Sequence, residues 1–121
     1  ILLDQNKPDL DINLKFMSSE EMTALNKEFR NKTGDTNILS FPANEDAQHL
    51  VGELGDIAIS MPYIETESQS LNRNIDDHMM HLLAHGMLHL LGFDHLQEKD
   101  ANIMEIKEIN YLEYFNIANP Y

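Results

Sequence analysis

Between residues 11 and 17, Ile12, Leu14 and Phe16 alternate with polar neighbours, the period of a half-buried β-strand. Ser18 with Glu21 forms a capping box that opens a helix over about residues 19–30, with Met22, Leu25, Asn26 and Phe29 on its inward face. Lys32-Thr33-Gly34-Asp35 is turn-forming, and residues 37–41 predict a short strand stopped by Pro42. Residues 43–53 lack periodicity and predict a loop. The stretch 54–60 is mostly apolar, with Ile57, Ala58 and Ile59 consecutive, and predicts a central strand. Pro62 suits the first turn of a short helix reaching about Leu71. Asn74 or Asp76 then caps a longer helix that runs to about Leu91 and ends at Gly92. Its stretch from Met79 to Leu91 is apolar nearly all round, so most of it must be buried. A last helix, over about residues 97–115, is expected to turn Ile103, Ile106, Ile109, Leu112 and Phe115 inward. Strands interleaved with helices, followed by a helical C-terminal half, predict an α+β fold with helices laid against a small sheet.

The 121 residues fit a single domain, and a hydrophobic fraction of 42% argues against disorder. No apolar run approaches the roughly 18 residues of a membrane span. No basic and apolar leader opens the chain, and cysteine is absent, so a reducing cytoplasmic location is expected. Without thiolates, histidines and carboxylates are the strong metal ligands on offer.

Those histidines are not scattered. In the segment His85-Gly86-Met87-Leu88-His89-Leu90-Leu91-Gly92-Phe93-Asp94-His95, His85 and His89 are one helical turn apart on one face. Gly92 permits the left-handed turn that brings His95 back to the same point. Three imidazoles with a fourth position left to water describe a catalytic zinc site better than a structural one, which is closed by four protein ligands. The spacing is that of the metzincin proteases, whose general base is a glutamate after the first histidine. Here that position is Gly86, so peptide cleavage by the usual route is not expected. His81 lies one turn before His85 and is carried about 6 Å further along the helix, too far to share the ion with His89. It is instead a candidate for contact with substrate or ligands. His49, in the irregular loop, reads as a surface residue.

The same segment resembles the H-G-x-L-H-L-x-G-[YF]-D-H signature of the YbeY family, bacterial metal-dependent endoribonucleases that mature ribosomal RNA. Two upstream motifs agree. Leu25-Asn26-x-x-Phe29-Arg30, followed by Thr36-Asn37-Ile38-Leu39-Ser40-Phe41-Pro42, is similar to the family's L-N-x-x-[YF]-R and T-N-V-L-S-F-P. Leu54-Gly55-Asp56-Ile57 matches its L-G-D-I strand. Two departures stand out. Asp35 occupies the place of a usual proline, which predicts a less rigid loop, and the chain has little before its first strand. Family members usually carry an opening strand and helix there, so a short or trimmed N-terminus is expected.

The resemblance implies a mixed sheet with a central helix carrying the metal ligands. It maps Arg30 onto the family's functional arginine, whose guanidinium would hold a phosphodiester with two donors. Asp56 and Asp94 are candidates to orient histidine N–H groups, and Ser40 and Lys32 to contact substrate. Expected partners are single-stranded or structured ribosomal RNA and the ribosome or its subunits, not DNA or a membrane. The expected cofactor is one divalent ion, zinc first, with nickel and other divalent ions as alternatives. Whether activated water or the RNA's own 2′-hydroxyl attacks is open.

The net charge of −13 cuts against an RNA enzyme, since phosphate contacts supply much of nucleic-acid affinity. Lys27, Arg30 and Lys32 answer it as a basic lip beside the metal, with the acid on the outer helices, including residues 98–113. Two other readings compete: a metallohydrolase of peptidase or amidase type, and a non-enzymatic ribosome-associated factor with a structural metal.

Overall fold

The computed structural model describes residues 11–44, 52–93 and 97–121. Strands β1 (Asp11–Met17), β2 (Ile38–Pro42) and β3 (Glu53–Ser60) form one mixed sheet in the order β1-β3-β2. Strand β3 pairs parallel with β1 and antiparallel with β2, so the most apolar strand is central, as its composition requires. Helix α1 (Ser19–Arg30) lies on one side of the sheet, where Met22 packs with Leu39 and Ala58. Helix α2 (Met61–Ser70) leads into α3 (Ile75–Leu90) on the other side, where Leu82 and Leu90 pack with Ile38, Ile57 and Ile59. Helix α4 (Glu98–Tyr114) packs on α3. This is the α+β architecture that the pattern of elements predicts.

Local chemistry sets the helix ends. Ser18 Oγ accepts from the Glu21 amide and Glu21 returns the bond to the Ser18 amide, both at 3.1 Å. Asn74, not Asp76, caps α3, its Oδ1 accepting from the amides of Asp76 and Asp77. Gly92 (φ +101°) closes the helix, with its amide bonded to His89 O and that of Phe93 to Leu88 O. That is a Schellman ending, and its glycine lies three residues beyond His89.

Three expectations about buried faces change. Leu14 and Phe16 are exposed, Phe16 at 66%. Strand β1 is at the sheet edge, and α3 packs chiefly over β2 and β3. Phe29 is also exposed and rests edge-on against Phe41, with ring centroids 5.1 Å apart. In α4 the isoleucines do not form the inner face: Ile103, Ile106 and Phe115 are exposed, while Met104, Glu108 and Leu112 are buried. A step of three falls about 60° short of a full turn, so a long i+3 series winds off any face, whereas a step of four overshoots by only about 40°. The Asp35 loop, expected to be loose, is held at both carboxylate oxygens, by the Thr36 amide (2.8 Å) and the Ser60 hydroxyl (3.0 Å).

At Gly55 strand β3 passes under β2 so closely that a Cβ would stand 2.4 Å from the Phe41 carbonyl oxygen and 2.8 Å from Leu90 Cδ2. The first neighbour is backbone and cannot swing aside. Gly55→Ala is therefore expected to cost about 3 kcal/mol of overpacking. The measurement is urea unfolding of wild type and variant, and an unchanged midpoint would contradict the packing.

Candidate metal centre and groove

Helix α3 presents two adjacent rows of side chains. Leu82, Gly86 and Leu90 face the sheet, and His81, His85 and His89, one residue earlier and about 100° round the helix, face α4 and a groove of about 720 Å³ that β2 also lines. The close approach of the first row fixes the second. A Cβ on Gly86 would stand 3.1 Å from both Ile38 Cδ1 and Ser40 Oγ, and Ser40 Oγ donates to the Gly86 carbonyl at 3.3 Å. Position 86 thus points into the sheet, and a glutamate there would enter the core before reaching the groove.

His85 and His89 converge. Their Nε2 atoms are 3.0 Å apart and the ring planes are inclined at 83°. His85 Nδ1 donates to the Glu108 carboxylate through a short contact with Oε1. His89 Nδ1 donates to the Phe93 carbonyl at 3.1 Å, an acceptor that the Schellman turn places there. With both Nδ1 atoms facing acceptors, the neutral rings carry their protons there and turn lone pairs toward each other at Nε2. Two lone pairs so close call for a positive centre. Two nitrogens on one tetrahedral zinc, each at ~2.0–2.1 Å, stand ~3.3 Å apart, so the pair fits a divalent ion. His95, the third expected ligand, and Asp94 lie outside the described residues, as does His49. Among the described residues no cluster of three or more metal-binding side chains occurs.

The sequence gives little sign of what stands behind this pair. Glu108 is fully buried, with its second oxygen accepting from His81 Nε2 at 3.1 Å and from the Tyr121 hydroxyl. Burial pushes this carboxyl up, but the hydrogen bonds from His81, His85 and Tyr121 outweigh it and hold it at about 2. Since that lies below the ordinary carboxylate range, its stabilisation is present above about pH 4.5 and is lost as pH falls toward 2. Burial, then the Glu108 carboxylate, pushes the Tyr121 hydroxyl above its ordinary range, so it remains a donor at neutral pH. Arg73 Nη1 reaches His78 Nδ1 (3.1 Å) and His81 Nδ1 (3.4 Å), and His78 Nε2 reaches Glu67 Oε1 at 2.7 Å. A continuous polar chain thus runs from α2 through α3 to α4. Glu108, Tyr121, Arg73 and Glu67 were not expected from the sequence. Only the i+4 row Met104, Glu108, Leu112 marks one of them.

Of the residues singled out in the sequence, the groove lining holds Arg30, Ser40, His81, His85 and His89, with Tyr121 and the aromatic pair Phe29 and Phe41 beside them. Arg30 is the last residue of α1 and is exposed there. Two candidates are not brought in. Asp56 lies on the α1 side of the sheet in the central strand, where it is bonded to Asn13 Nδ2 (3.0 Å) and Lys15 Nζ (3.2 Å) of β1, while the groove runs along β2. Lys32 and Lys27 are exposed outside the lining, so the expected basic lip reduces to Arg30.

The convergence of His85 and His89 gives a direct expectation. His89→Ala should abolish stoichiometric binding of a divalent ion by elemental analysis, and a full equivalent retained in the folded variant would exclude this centre.

Residues 2–116 match the family model of endoribonuclease YbeY. Endoribonuclease YbeY of Francisella tularensis subsp. holarctica is 43% identical over 116 residues, covering 92% of this chain and 71% of the relative. That of Coxiella burnetii is 40% identical over 121 residues, covering 100% of this chain and 78% of the relative. The solution structure of TM1509 from Thermotoga maritima superposes with a TM-score of 0.65 at 26% identity, over 93% of this chain and 72% of that one. Family model, curated relatives and fold agree, and the chain belongs to the YbeY endoribonuclease family.

Proposed function

We propose that this chain is a zinc-dependent, single-strand endoribonuclease that matures the 3′ end of 16S ribosomal RNA, working in the cytoplasm in association with ribosomal subunits. Its family is one of endoribonucleases, so its substrate is RNA. The observation that carries the reading is the shared groove: two converging imidazoles and one exposed guanidinium, with no carboxylate side chain among the described lining residues although the chain carries −13 overall. A polyanion meets positive or neutral groups in the groove while the acidic side chains lie outside its lining.

His85 and His89, with His95, would hold the ion, which supplies positive charge for the negative charge that builds at a phosphate oxygen. Arg30 binds the phosphodiester with two donors in one plane. Phe29, exposed beside Arg30 and backed by Phe41, offers a face on which an unstacked base can lie. Stacking of that kind contributes ~1–3 kcal/mol per base without a basic surface, which suits a single strand and an acidic protein. A duplex would hold its bases away from Phe29. The peptidase reading loses support, because the side chain at position 86 points into the sheet.

The test is cleavage of labelled structured RNA by metal-loaded protein, with and without chelator. Arg30→Ala should keep fold and metal content while cleavage falls ~10²–10³-fold, the usual loss for one donor aimed at developing charge. Arg30→Lys should recover little, since an ammonium lacks the planar pair of donors. Equal rates for wild type and Arg30→Ala at matched metal content would remove the assignment.

A further inference from the structure

Glu108 has no exposed surface, yet each of its three hydrogen-bond partners, His81, His85 and Tyr121, lines the groove that Glu108 itself does not reach. Packing alone does not call for a carboxylate here. Met104 and Leu112 occupy the neighbouring turns of the same row and are buried as apolar residues. A carboxylate in that setting carries a desolvation cost that an apolar residue of similar volume would avoid. What it adds is orientation, and only of groups in the groove.

We propose that Glu108 is a positioning residue that sets the proton arrangement of the site through its two oxygens. Oε1 holds the proton of His85 on Nδ1 and so keeps the Nε2 lone pair turned toward His89. Oε2 draws the proton of His81 to the opposite nitrogen, Nε2, while Arg73 donates to Nδ1. One carboxylate therefore selects opposite tautomers in two histidines of the same row, leaving Nε2 of His85 unprotonated and that of His81 protonated. The same oxygen anchors the Tyr121 hydroxyl, 3.2 Å from His81 Nε2, and so fixes the groove wall formed by that ring. The inference rests on the metal reading above but not on RNA cleavage.

Two measurements on the full chain, both without RNA, test it. In metal-free protein labelled with ¹⁵N at histidine, at a pH where the rings are neutral, long-range correlation spectra should show His85 protonated at Nδ1 and His81 at Nε2. In Glu108→Gln the amide can accept at only one of the two sites, so at least one histidine should change or mix its tautomer. Zinc affinity by calorimetry should fall ~10–100-fold, the usual effect of losing a carboxylate behind a ligating histidine. Tyr121→Phe, which leaves the His85 contact in place, should keep zinc affinity close to wild type. A wild-type His85 protonated at Nε2 would overturn the proposal, and that reading stands even where Glu108→Gln does not fold. So would a folded Glu108→Gln with wild-type zinc affinity, or an equal loss in Tyr121→Phe, which would point to a loosened wall instead of a lost orientation. A wild-type chain that takes up no zinc would defeat the metal reading, while the tautomers would still decide the role of Glu108.

Discussion

The close approach of α3 to the sheet at Gly86 is the constraint from which the site follows. On a helix, fixing one row fixes every other row to within a few degrees, because successive residues are about 100° apart. With Leu82, Gly86 and Leu90 pressed on Ile38, Ser40 and Ile57, the row His81, His85, His89 has one direction available. A helix held further off by a larger side chain at position 86 could roll, and a roll would carry His85 off Glu108 and turn the whole row away from the groove. The glycine that removes the protease base is thus also the residue that aims the histidines. The two roles share one cause, since position 86 belongs to the sheet-facing row.

From the opposite side α4 braces the same row through Glu108. The sheet contact is apolar and insensitive to proton positions, whereas the α4 contact is polar and depends on them. Packing aims the imidazoles, and hydrogen bonding decides which nitrogen each one offers. The Schellman turn at Gly92 completes the set by placing the Phe93 carbonyl against His89 Nδ1. Backbone, side chain and packing each contribute one restraint to a two-histidine pair.

Much of this was legible because it is local. The Ser18 capping box, the Asn74 cap, the i,i+4 histidines and the closing Gly92 each act over a few residues, where sequence spacing and spatial distance are tied together by helix geometry. Strand β3 was legible for a different reason: burial on both faces leaves the uninterrupted apolar run Ile57-Ala58-Ile59. What escaped acts across the chain. Glu108 meets His85 from 23 positions away and His81 from 27, and no local periodicity encodes that meeting. Its carboxylate looked like one more solvated charge on an acidic helix. The isoleucines of α4 misled because an apolar residue every third position suggests a stripe but traces a spiral. Asp56 misled through its neighbours: it sits in a family-like motif, yet alternation along β3 sends it to the α1 side, and only the register with Phe41 reveals this.

The charge of the chain takes on a different meaning once the groove is located. A net −13 is a property of the whole surface, but a bound strand responds to the potential along its own path, and charges beyond ~8–10 Å are largely screened at cellular ionic strength. Among the described residues the lining contains an arginine, three histidines, exposed aromatic rings and no carboxylate side chain, and Glu108 behind it is buried with its hydrogen bonds supplied by the site's own donors. Repulsion from the remaining surface then acts against strands that approach anywhere else. If the groove holds a cation as proposed, an acidic exterior around it would disfavour loose, sliding contact with the RNA backbone and leave binding to the few nucleotides that can reach Arg30 and Phe29 together. On the proposed reading, selectivity for an unpaired segment would follow from the charge distribution, and the acidity that argued against an RNA enzyme would help to confine its substrate.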